Sequence, residues 1–506
     1  MKDWTQGYIT EIEYTAGFYR ELAPSYLQWC ALLRGHEPVN ADKPFHYLEI
    51  GCGQGVSAAV LAAANPHGRF WAFDFNPIHV RHGQALAGAA QLDNLEYFEA
   101  SFAEALERAL PPMDIIALHG VYSWITPENR EEIVALIRRF LKPGGMVYIS
   151  YNCLPGWAGK APVRKLMTEH AARSQGAMTE RVMAARRFVS EIAKTDALYF
   201  KNHPTTLPLV EQLGQHSTNY LVHEYFNESW ELLYHSDVVR ELHGAKLHFI
   251  ASATVLENFD EAAVPEAIRP IIANEKDPVL AELLRDFAAN RQFRRDLFAR
   301  GAQRLNAVQA LERIGQLRFA LARDRALCSP KIQVPLGEAD LNRQLFEPIM
   351  DALSQGEKTA SELAQAAGHP LQAILFMLSA LMSAGHILPL LQPEPKPHAA
   401  QRLNRVLLER AAQGRELNVL AVPRAGTGFS SGLGDQLLLL GVLRKAADLP
   451  AFVHERLLAL GRRLKDDNGQ PITDDQLQLE KLRQLATDFR QKTLPIYQRL
   501  GCVKEK

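Results

Sequence analysis

The stretch Tyr47-Leu48-Glu49-Ile50-Gly51-Cys52-Gly53-Gln54-Gly55 decides the fold of this chain. An apolar strand here runs into three glycines at alternate positions, and a helix follows. Glycine lets the backbone approach a ligand more closely than any side chain allows. The pattern is G-x-G-x-G and differs from the dinucleotide fingerprint G-x-G-x-x-G, because position 56 is valine. It predicts a ligand-binding loop, although a loop that only turns a strand into a helix has the same appearance.

Strands and helices alternate on the C-terminal side of this loop. After the first strand at 44–50, further apolar strands are predicted at residues 70–73, 95–98, 113–118 and 146–151. Helices are predicted between them at residues 77–90, 101–109 and 127–141. This order predicts an α/β fold with a doubly wound, mostly parallel sheet, whose ligand lies beyond the carboxyl ends of the strands.

Asp74 ends the second strand, 23 residues after Gly51. A doubly wound fold places at this point an acid that accepts hydrogen bonds from both hydroxyls of a ribose. The alternative role for Asp74 is the N-cap of the helix that opens at Pro77.

Composition excludes several classes of protein. The 506 residues suffice for about three to four domains, and 47% hydrophobic with 22% charged residues is a globular composition. With a net charge of −1, the chain as a whole has no electrostatic attraction to nucleic acid or to an anionic membrane. Five scattered cysteines without a C-x-x-C pair predict a reducing compartment, the cytoplasm, and neither disulfides nor a thiolate zinc site.

Four regions are expected along the chain. They are a ligand-binding domain over 1–160, a mainly helical middle domain over 161–330, a winged-helix-like module over 340–391 and a mostly helical region over 400–506. Ten arginines against four acids at 285–325 are interpreted as a solvated helix surface rather than a patch for an anionic partner. The uncharged segment 371–391 is interpreted as a buried helix, with no membrane span.

The winged-helix-like module is predicted to contact protein or to be structural. Its third helix has no Lys or Arg, and the module holds two basic against five acidic residues. DNA recognition needs cations to meet phosphates, so no nucleic-acid partner is expected.

Together with Asp74 and the turn Lys142-Pro143-Gly144-Gly145, the glycine loop resembles the class I S-adenosylmethionine-dependent methyltransferases. The segments 14–24, 119–124, 150–157 and 223–227 are similar to the bacterial methyltransferases that carry a methyltransferase regulatory domain. That group includes the rickettsial protein lysine methyltransferases. The resemblance implies S-adenosyl-L-methionine as the cofactor.

The resemblance also implies roles for single residues in cofactor binding. The glycines pass under the methionine part, Asp74 holds the ribose, and Ser101 and Phe102 lie near the adenine. Glu49 and His119 belong to the same implied site. A helical lid over the cofactor is implied for Tyr14, Phe18 and Tyr19, for which packing in the core is the alternative.

The methyl acceptor is expected at the ends of two adjacent strands. A sulfonium is already activated, so no metal is needed, and a lysine acceptor must lose a proton from its ammonium. Tyr122 and Tyr151 are predicted to orient the acceptor, with Asn152 beside them and Trp124 as a wall. His119 is the side chain there that titrates near neutrality, and a structural histidine is the alternative.

The favoured acceptor is a lysine of a protein substrate. Residues 1–160 hold 12 basic against 17 acidic residues, a balance that favours a cationic substrate. Two alternatives remain open: a small-molecule N- or O-methyltransferase, and a scaffold that senses the cofactor without catalysis.

Overall fold

A seven-stranded sheet forms the centre of the computed structural model, which describes residues 16–466 and 468–504. Its strands are β1 (His46–Ile50), β2 (Arg69–Asp74), β3 (Leu95–Glu99), β4 (Met113–Leu118), β5 (Leu141–Asn152), β6 (Leu247–Ser252) and β7 (Phe293–Arg300). They lie in the order β3-β2-β1-β4-β5-β7-β6, and β1 to β5 are parallel. Strand β7 is antiparallel to both β5 and β6. The predicted mostly parallel α/β fold is confirmed.

The first helices begin where local signals place them. They are α1 (Pro24–Leu33), α2 (Val56–Ala64), α3 (Pro77–Ala90), α4 (Phe102–Glu107) and α5 (Pro127–Phe140). Proline, which lacks the N–H that a first turn leaves unpaired, opens α1, α3 and α5. The side chain of Asn76 caps α3 by accepting from the Ile78 N–H. The capping role considered for Asp74 is therefore taken by Asn76.

The predicted turn at 142–145 lies inside β5 as a bulge. Between two paired positions β4 advances from Met113 to Ile115, whereas β5 advances from Leu141 to Met146. The extra residues of β5 leave the ladder, and Gly144 adopts a φ of +82°, which favours glycine.

The middle region contains an inserted helical unit followed by the last two strands of the central sheet. The unit comprises α6 (Ala161–Arg173), α7 (Met178–Ala193), α8 (Leu198–Asn202), α9 (Leu207–Leu213) and α10 (Thr218–Tyr225), and it has its own hydrophobic core. The chain then forms α11 (His235–Leu242), α12 (Asp260–Ala263), α13 (Arg269–Asn274) and α14 (Pro278–Ala289) around β6 and β7. Residues 247–300 thus complete the sheet that begins at His46. The predicted range 161–330 combines two structural parts.

A buried ionic network holds β7 in the sheet. The Arg294 guanidinium bonds Asp286 at 2.5 Å, Asp296 at 2.9 Å and Glu282 at 3.0 Å, and its side chain is fully buried. His235 Nδ1 lies 3.1 Å from Asp296 Oδ2. Burial alone would raise the pKa of Asp296, but the charge of Arg294 outweighs this effect and holds that pKa below its usual range. The interpretation of 285–325 as a solvated helical surface is wrong at β7, where charges pair inside the protein.

The C-terminal third shares a core with α1. It contains α15 (Ala307–Gln316), β8 (Arg318–Leu321), β9 (Lys331–Val334), β10 (Gly337–Asp340), α16 (Arg343–Ser354), β11 (Lys358–Thr359), α17 (Ala360–Ala367), α18 (Leu371–Ser383) and β12 (Ile387–Leu390). Strands β11, β8 and β12 form a small antiparallel sheet in that order. The indole of Trp29 donates to Ser379 Oγ of α18. The module predicted at 340–391 is therefore part of one continuous core.

The last region covers the helix that follows the glycine loop. It comprises α19 (His398–Ala411), β13 (Val419–Val422), β14 (Thr427–Ser430), α20 (Leu433–Leu443), α21 (Leu449–Ala459), α22 (Asp475–Asp488) and α23 (Leu494–Arg499). Leu403 and Leu407 of α19 and Val419 of β13 belong to the same buried cluster as Val56 and Val60 of α2. Helix α2 thus has the sheet on one side and the C-terminal region on the other.

Within the described residues, no single helix has both the length and the apolar composition to cross a membrane. Helices α17 and α18 meet that test only as a pair, and they are bent by 108° where they join.

We expect Arg294→Met to lower the free energy of unfolding by about 3–5 kcal/mol, because it removes the fully buried cation that three carboxylates share. Urea unfolding followed by tryptophan fluorescence measures this. The control is Arg240→Met, which removes an exposed ion pair to Asp237 and is expected to cost about 1 kcal/mol or less. Equal effects of the two substitutions would contradict the role given to the network.

Candidate functional site

The glycine loop between β1 and α2 has a backbone that other residues rarely adopt. Gly51, Gly53 and Gly55 have φ values of +66°, +52° and +74°. A Cβ on Gly51 would lie 2.6 Å from Val121, and one on Gly55 would lie 2.6 Å from Tyr97. A Cβ on Gly53 would meet no atom within 4 Å. The outer glycines are required by packing, and the middle one leaves open space above the loop.

Asp74 fixes the loop from the end of β2. Its Oδ2 accepts from the Gly53 N–H at 2.8 Å, and its Oδ1 accepts from the Asn76 N–H at 3.0 Å. His79 Nδ1 lies 3.2 Å from the same Oδ1. A carboxylate has about four acceptor positions, and these three contacts leave about one for a further donor.

A first cavity lies beyond the carboxyl ends of β1, β2 and β4. Asp74, Ser101 and Phe102 line it together with Gly51 and Gly53. Its other walls include Phe73, Phe75, Val121 and Ile125. Ser101 caps α4, since its Oγ accepts from the Glu104 N–H and donates to the Glu104 carboxylate. The lining is thus largely apolar and aromatic, with Asp74 and Ser101 among its polar groups.

A second cavity adjoins the first and shares its glycine loop, His119, Gly120 and Trp124. Its volume, about 380 Å³, is typical of a small-molecule site. Aromatic and polar side chains from six segments of the chain line it: Tyr19, Glu49, His119, Trp124, Asn152, Trp157, Tyr220, Glu224, Gln292, Phe293 and Arg295. The two cavities together form one elongated site across the sheet end.

Three polar atoms of the second cavity's residues are buried without a hydrogen-bond partner among the described residues. They are Glu49 Oε2, an acceptor, and Asn152 Nδ2 and Arg295 Nε, both donors. Burial and the neighbouring Asp74 carboxylate raise the pKa of Glu49 to about 8. Because buried polar groups in native proteins are nearly always paired, these atoms indicate a ligand that carries both a cation and an anion.

His119 is held in a neutral form. Its Nδ1 lies 2.8 Å from the Tyr148 hydroxyl and 3.3 Å from Ser150 Oγ, and its ring centre lies 3.7 Å from that of Tyr19 at an interplanar angle of 33°. Burial and the Arg295 charge lower the pKa of His119 to about 3. The structure therefore contradicts the expectation that this side chain titrates near neutrality. In residues 16–466 and 468–504, no three His, Cys, Asp or Glu side chains are grouped to hold a metal ion.

The residues of the expected lid have different positions. Tyr19 lines the second cavity. Phe18 packs in the hydrophobic core and approaches Gly428 of β14. Tyr14 lies outside the described residues.

Tyr122 and Tyr151 do not line either cavity, in contrast to the prediction. The Tyr122 hydroxyl donates to Glu241 at 2.5 Å, and the Tyr151 hydroxyl donates to Asp296 at 2.6 Å. Both side chains are fully buried. Neighbouring residues of a strand point to opposite faces of the sheet, so Asn152 faces the cavity while Tyr151 faces the ionic network.

Several cavity residues were missed by reasoning from the sequence. Arg295 lies on β7, where three consecutive charged residues, Arg294 to Asp296, obscured the strand pattern. Glu224 belongs to the segment 223–227, which was noted only as a point of resemblance. Trp157 lies in the segment 150–157 noted for the same reason. A resemblance between whole segments marks a site without telling which side chain enters it.

Two family models match the chain. A methyltransferase domain matches residues 48–147, and a predicted methyltransferase regulatory domain matches residues 217–300. The first covers the glycine loop, and the second includes Glu224, β6, β7 and Arg295.

Full-length similarity extends this result. The uncharacterized protein sll1526 of Synechocystis is 36% identical over 504 residues, which cover 98% of this chain and 99% of that protein. The uncharacterized protein RP789 of Rickettsia prowazekii is 27% identical over 301 residues, 58% of this chain and 53% of that protein.

The solved structure of PKMT2 from Rickettsia typhi in complex with AdoHcy has the same fold. It aligns with a TM-score of 0.70 at 18% identity, over 97% of this chain and 99% of PKMT2. From the domain matches, the full-length relative and the shared fold, the chain belongs to the family of class I S-adenosylmethionine-dependent methyltransferases that carry a methyltransferase regulatory domain.

Proposed function

We propose that this methyltransferase transfers the methyl group of S-adenosylmethionine to lysine side chains of a protein substrate. The observation that carries the proposal is the second cavity, whose aromatic walls adjoin the glycine loop. The PKMT2 protein, which shares the fold, is one of the rickettsial enzymes that the sequence resembles. The five cysteines are free and buried, which supports a reducing compartment such as the cytoplasm.

The first cavity fits the adenosine part of the cofactor. Its apolar walls suit a planar base, and Ser101 and Phe102, which line the cavity, would contact the adenine. Asp74 retains about one acceptor position, which a ribose hydroxyl would fill.

The second cavity fits the methionine part, which is a zwitterion. Glu49 Oε2 would accept from the α-ammonium, and Arg295 and Asn152 would donate to the α-carboxylate. Each of the three orphaned atoms then has a partner of matching chemistry, which restores the pairing that buried polar groups require.

The remaining walls of the second cavity fit a lysine side chain. Trp124, Trp157 and Tyr220 present ring faces and edges to the space beside the glycine loop. Aromatic rings pack against a butylene stem and attract an ammonium by cation–π interaction. The cofactor supplies an activated methyl group, so the protein's task is to align the acceptor nitrogen and shield it from water.

Two substitutions are expected to weaken cofactor binding in different ways. Asp74→Ala should weaken both S-adenosylhomocysteine and 5′-methylthioadenosine by roughly tenfold to a hundredfold, since both contain the ribose. Arg295→Met should weaken only S-adenosylhomocysteine, by about tenfold or more, because 5′-methylthioadenosine lacks the amino-acid part. Isothermal titration calorimetry gives the four dissociation constants.

Thermal unfolding of each variant is the control for this pair. If Arg295→Met weakens both ligands equally, the arginine does not contact the carboxylate. An unchanged affinity of a folded Asp74→Ala variant would remove the ribose assignment.

Methyl transfer to protein is expected when the purified enzyme is incubated with cell lysate and S-adenosylmethionine carrying a tritiated methyl group. Label should appear in protein bands, and acid hydrolysis should release it as methyllysine. The Asp74→Ala variant is the matched control and should lose most of the label. Label confined to small molecules, or to an amino acid other than lysine, would contradict the proposed acceptor.

A further inference from the structure

Glu224 is an acidic side chain of the second cavity that cofactor binding does not explain. It lies on α10, in the inserted helical unit, whereas Glu49 lies on β1 next to the glycine loop. Glu224 makes no hydrogen bond to any of the described residues, and no Lys or Arg among them forms an ion pair with it within 4 Å. A carboxylate that borders a cavity and has no such partner is suited to bind a cationic group of a ligand.

The surroundings of Glu224 are aromatic and partly charged. The carboxylate is close enough to Tyr19, Tyr220 and Tyr225 to raise the pKa of each hydroxyl. Burial raises the pKa of Glu224 itself to about 7, although the Arg164 guanidinium of α6 lowers it. Arg295 lines the same cavity from β7. Glu224 is therefore half ionised near neutral pH, where an ordinary glutamate is almost fully ionised.

Arg164 does not neutralise Glu224 by direct pairing. Its Nη2 donates to the Asn227 carbonyl at 2.6 Å, and its guanidinium lies 4.4 Å from the centre of the Trp230 ring. The Arg164 guanidinium is thus bound to a backbone carbonyl and packed on an aromatic ring, which leaves the carboxylate for a partner that enters from the cavity.

We propose that Glu224 binds the ammonium of the acceptor lysine in the second cavity and removes its proton before methyl transfer. The inference rests on the proposed lysine acceptor. The N–H bond of the ammonium breaks, its proton moves to a Glu224 oxygen, and the electron pair stays on nitrogen. That pair then forms the N–C bond to the methyl group, while the electrons of the broken C–S bond remain on sulfur.

The charges of Glu224 and of the acceptor lysine match each other before and after proton transfer. Before proton transfer the ammonium faces a carboxylate, and after it a neutral amine faces a carboxylic acid. A base of pKa near 7 accepts a proton from a desolvated lysine more readily than a glutamate of ordinary pKa does. The product is a methylated ammonium beside a protonated Glu224, and the Glu224 proton passes to solvent before the side chain accepts another one.

The first test compares pH profiles of kcat/KM for the wild type and for Glu224→Gln, using the full-length enzyme and a protein that it methylates. The wild type should rise to a plateau above about pH 7, where Glu224 is ionised. Glu224→Gln should lose roughly a hundredfold or more near pH 7.5. Its remaining rate should climb about tenfold per pH unit without a plateau, as solvent deprotonates the lysine.

Glu211→Gln is the matched control, because Glu211 is an exposed residue of α9 in the same helical unit. It should keep the wild-type profile. A Glu224→Gln profile with the wild-type plateau and rate would overturn the proposal.

The second test needs no protein acceptor. The probe is an adenosyl amino acid in which nitrogen replaces sulfur and carries a four-carbon arm ending in an amine, and its partner has an arm ending in a hydroxyl. Glu224→Gln should weaken the amine probe about tenfold and leave the hydroxyl probe and S-adenosylhomocysteine within twofold. Weaker S-adenosylhomocysteine binding would mean that Glu224 holds the cofactor's own ammonium, which overturns the proposal. If no lysine is methylated in any substrate, the proposed function fails, and the amine probe still decides whether Glu224 binds an ammonium.

Discussion

The hydrogen bond from the Gly53 N–H to the Asp74 carboxylate is the contact on which the site depends. It joins the end of β1 to the end of β2 across a loop whose three glycines all have positive φ. Val121, which follows β4, and Tyr97, at the centre of β3, close on the outer glycines. Residues from β2, from β3 and from the segment after β4 therefore set the glycine loop, and both cavities are lined by it.

The parallel half of the sheet could be predicted because its signals are local. Each of its strands is a short apolar run, and proline or a capping residue marks the next helix, so the predicted bounds of α3 agree with the structure. The antiparallel strands β6 and β7 could not be predicted in this way. Strand β7 contains Arg294 and Asp296, and only tertiary pairing with residues from α14 and α11 makes their burial possible.

The sequence also could not predict which side chains of these strand ends point into the cavity. Tyr122, Tyr151 and Asn152 were all expected to face the acceptor, yet only Asn152 reaches a cavity. The alternation within β5 decides this, and a shift of one residue in register reverses it. The residues that complete the site, Arg295 and Glu224, come from segments more than 150 residues beyond the glycine loop. No local sequence pattern predicts that these two residues lie close to the glycine loop.

The position of helix α2 has a consequence for how this protein changes over time. Its small side chains are enclosed between the sheet and α19 with β13, so the C-terminal region is a wall of the same core that supports the glycine loop. If the C-terminal region were exchanged between relatives, its new surface would have to pack against these alanines and valines. Otherwise the helix that supports the glycine loop would lose part of its core. The match to the Synechocystis protein extends through both of these regions of the chain.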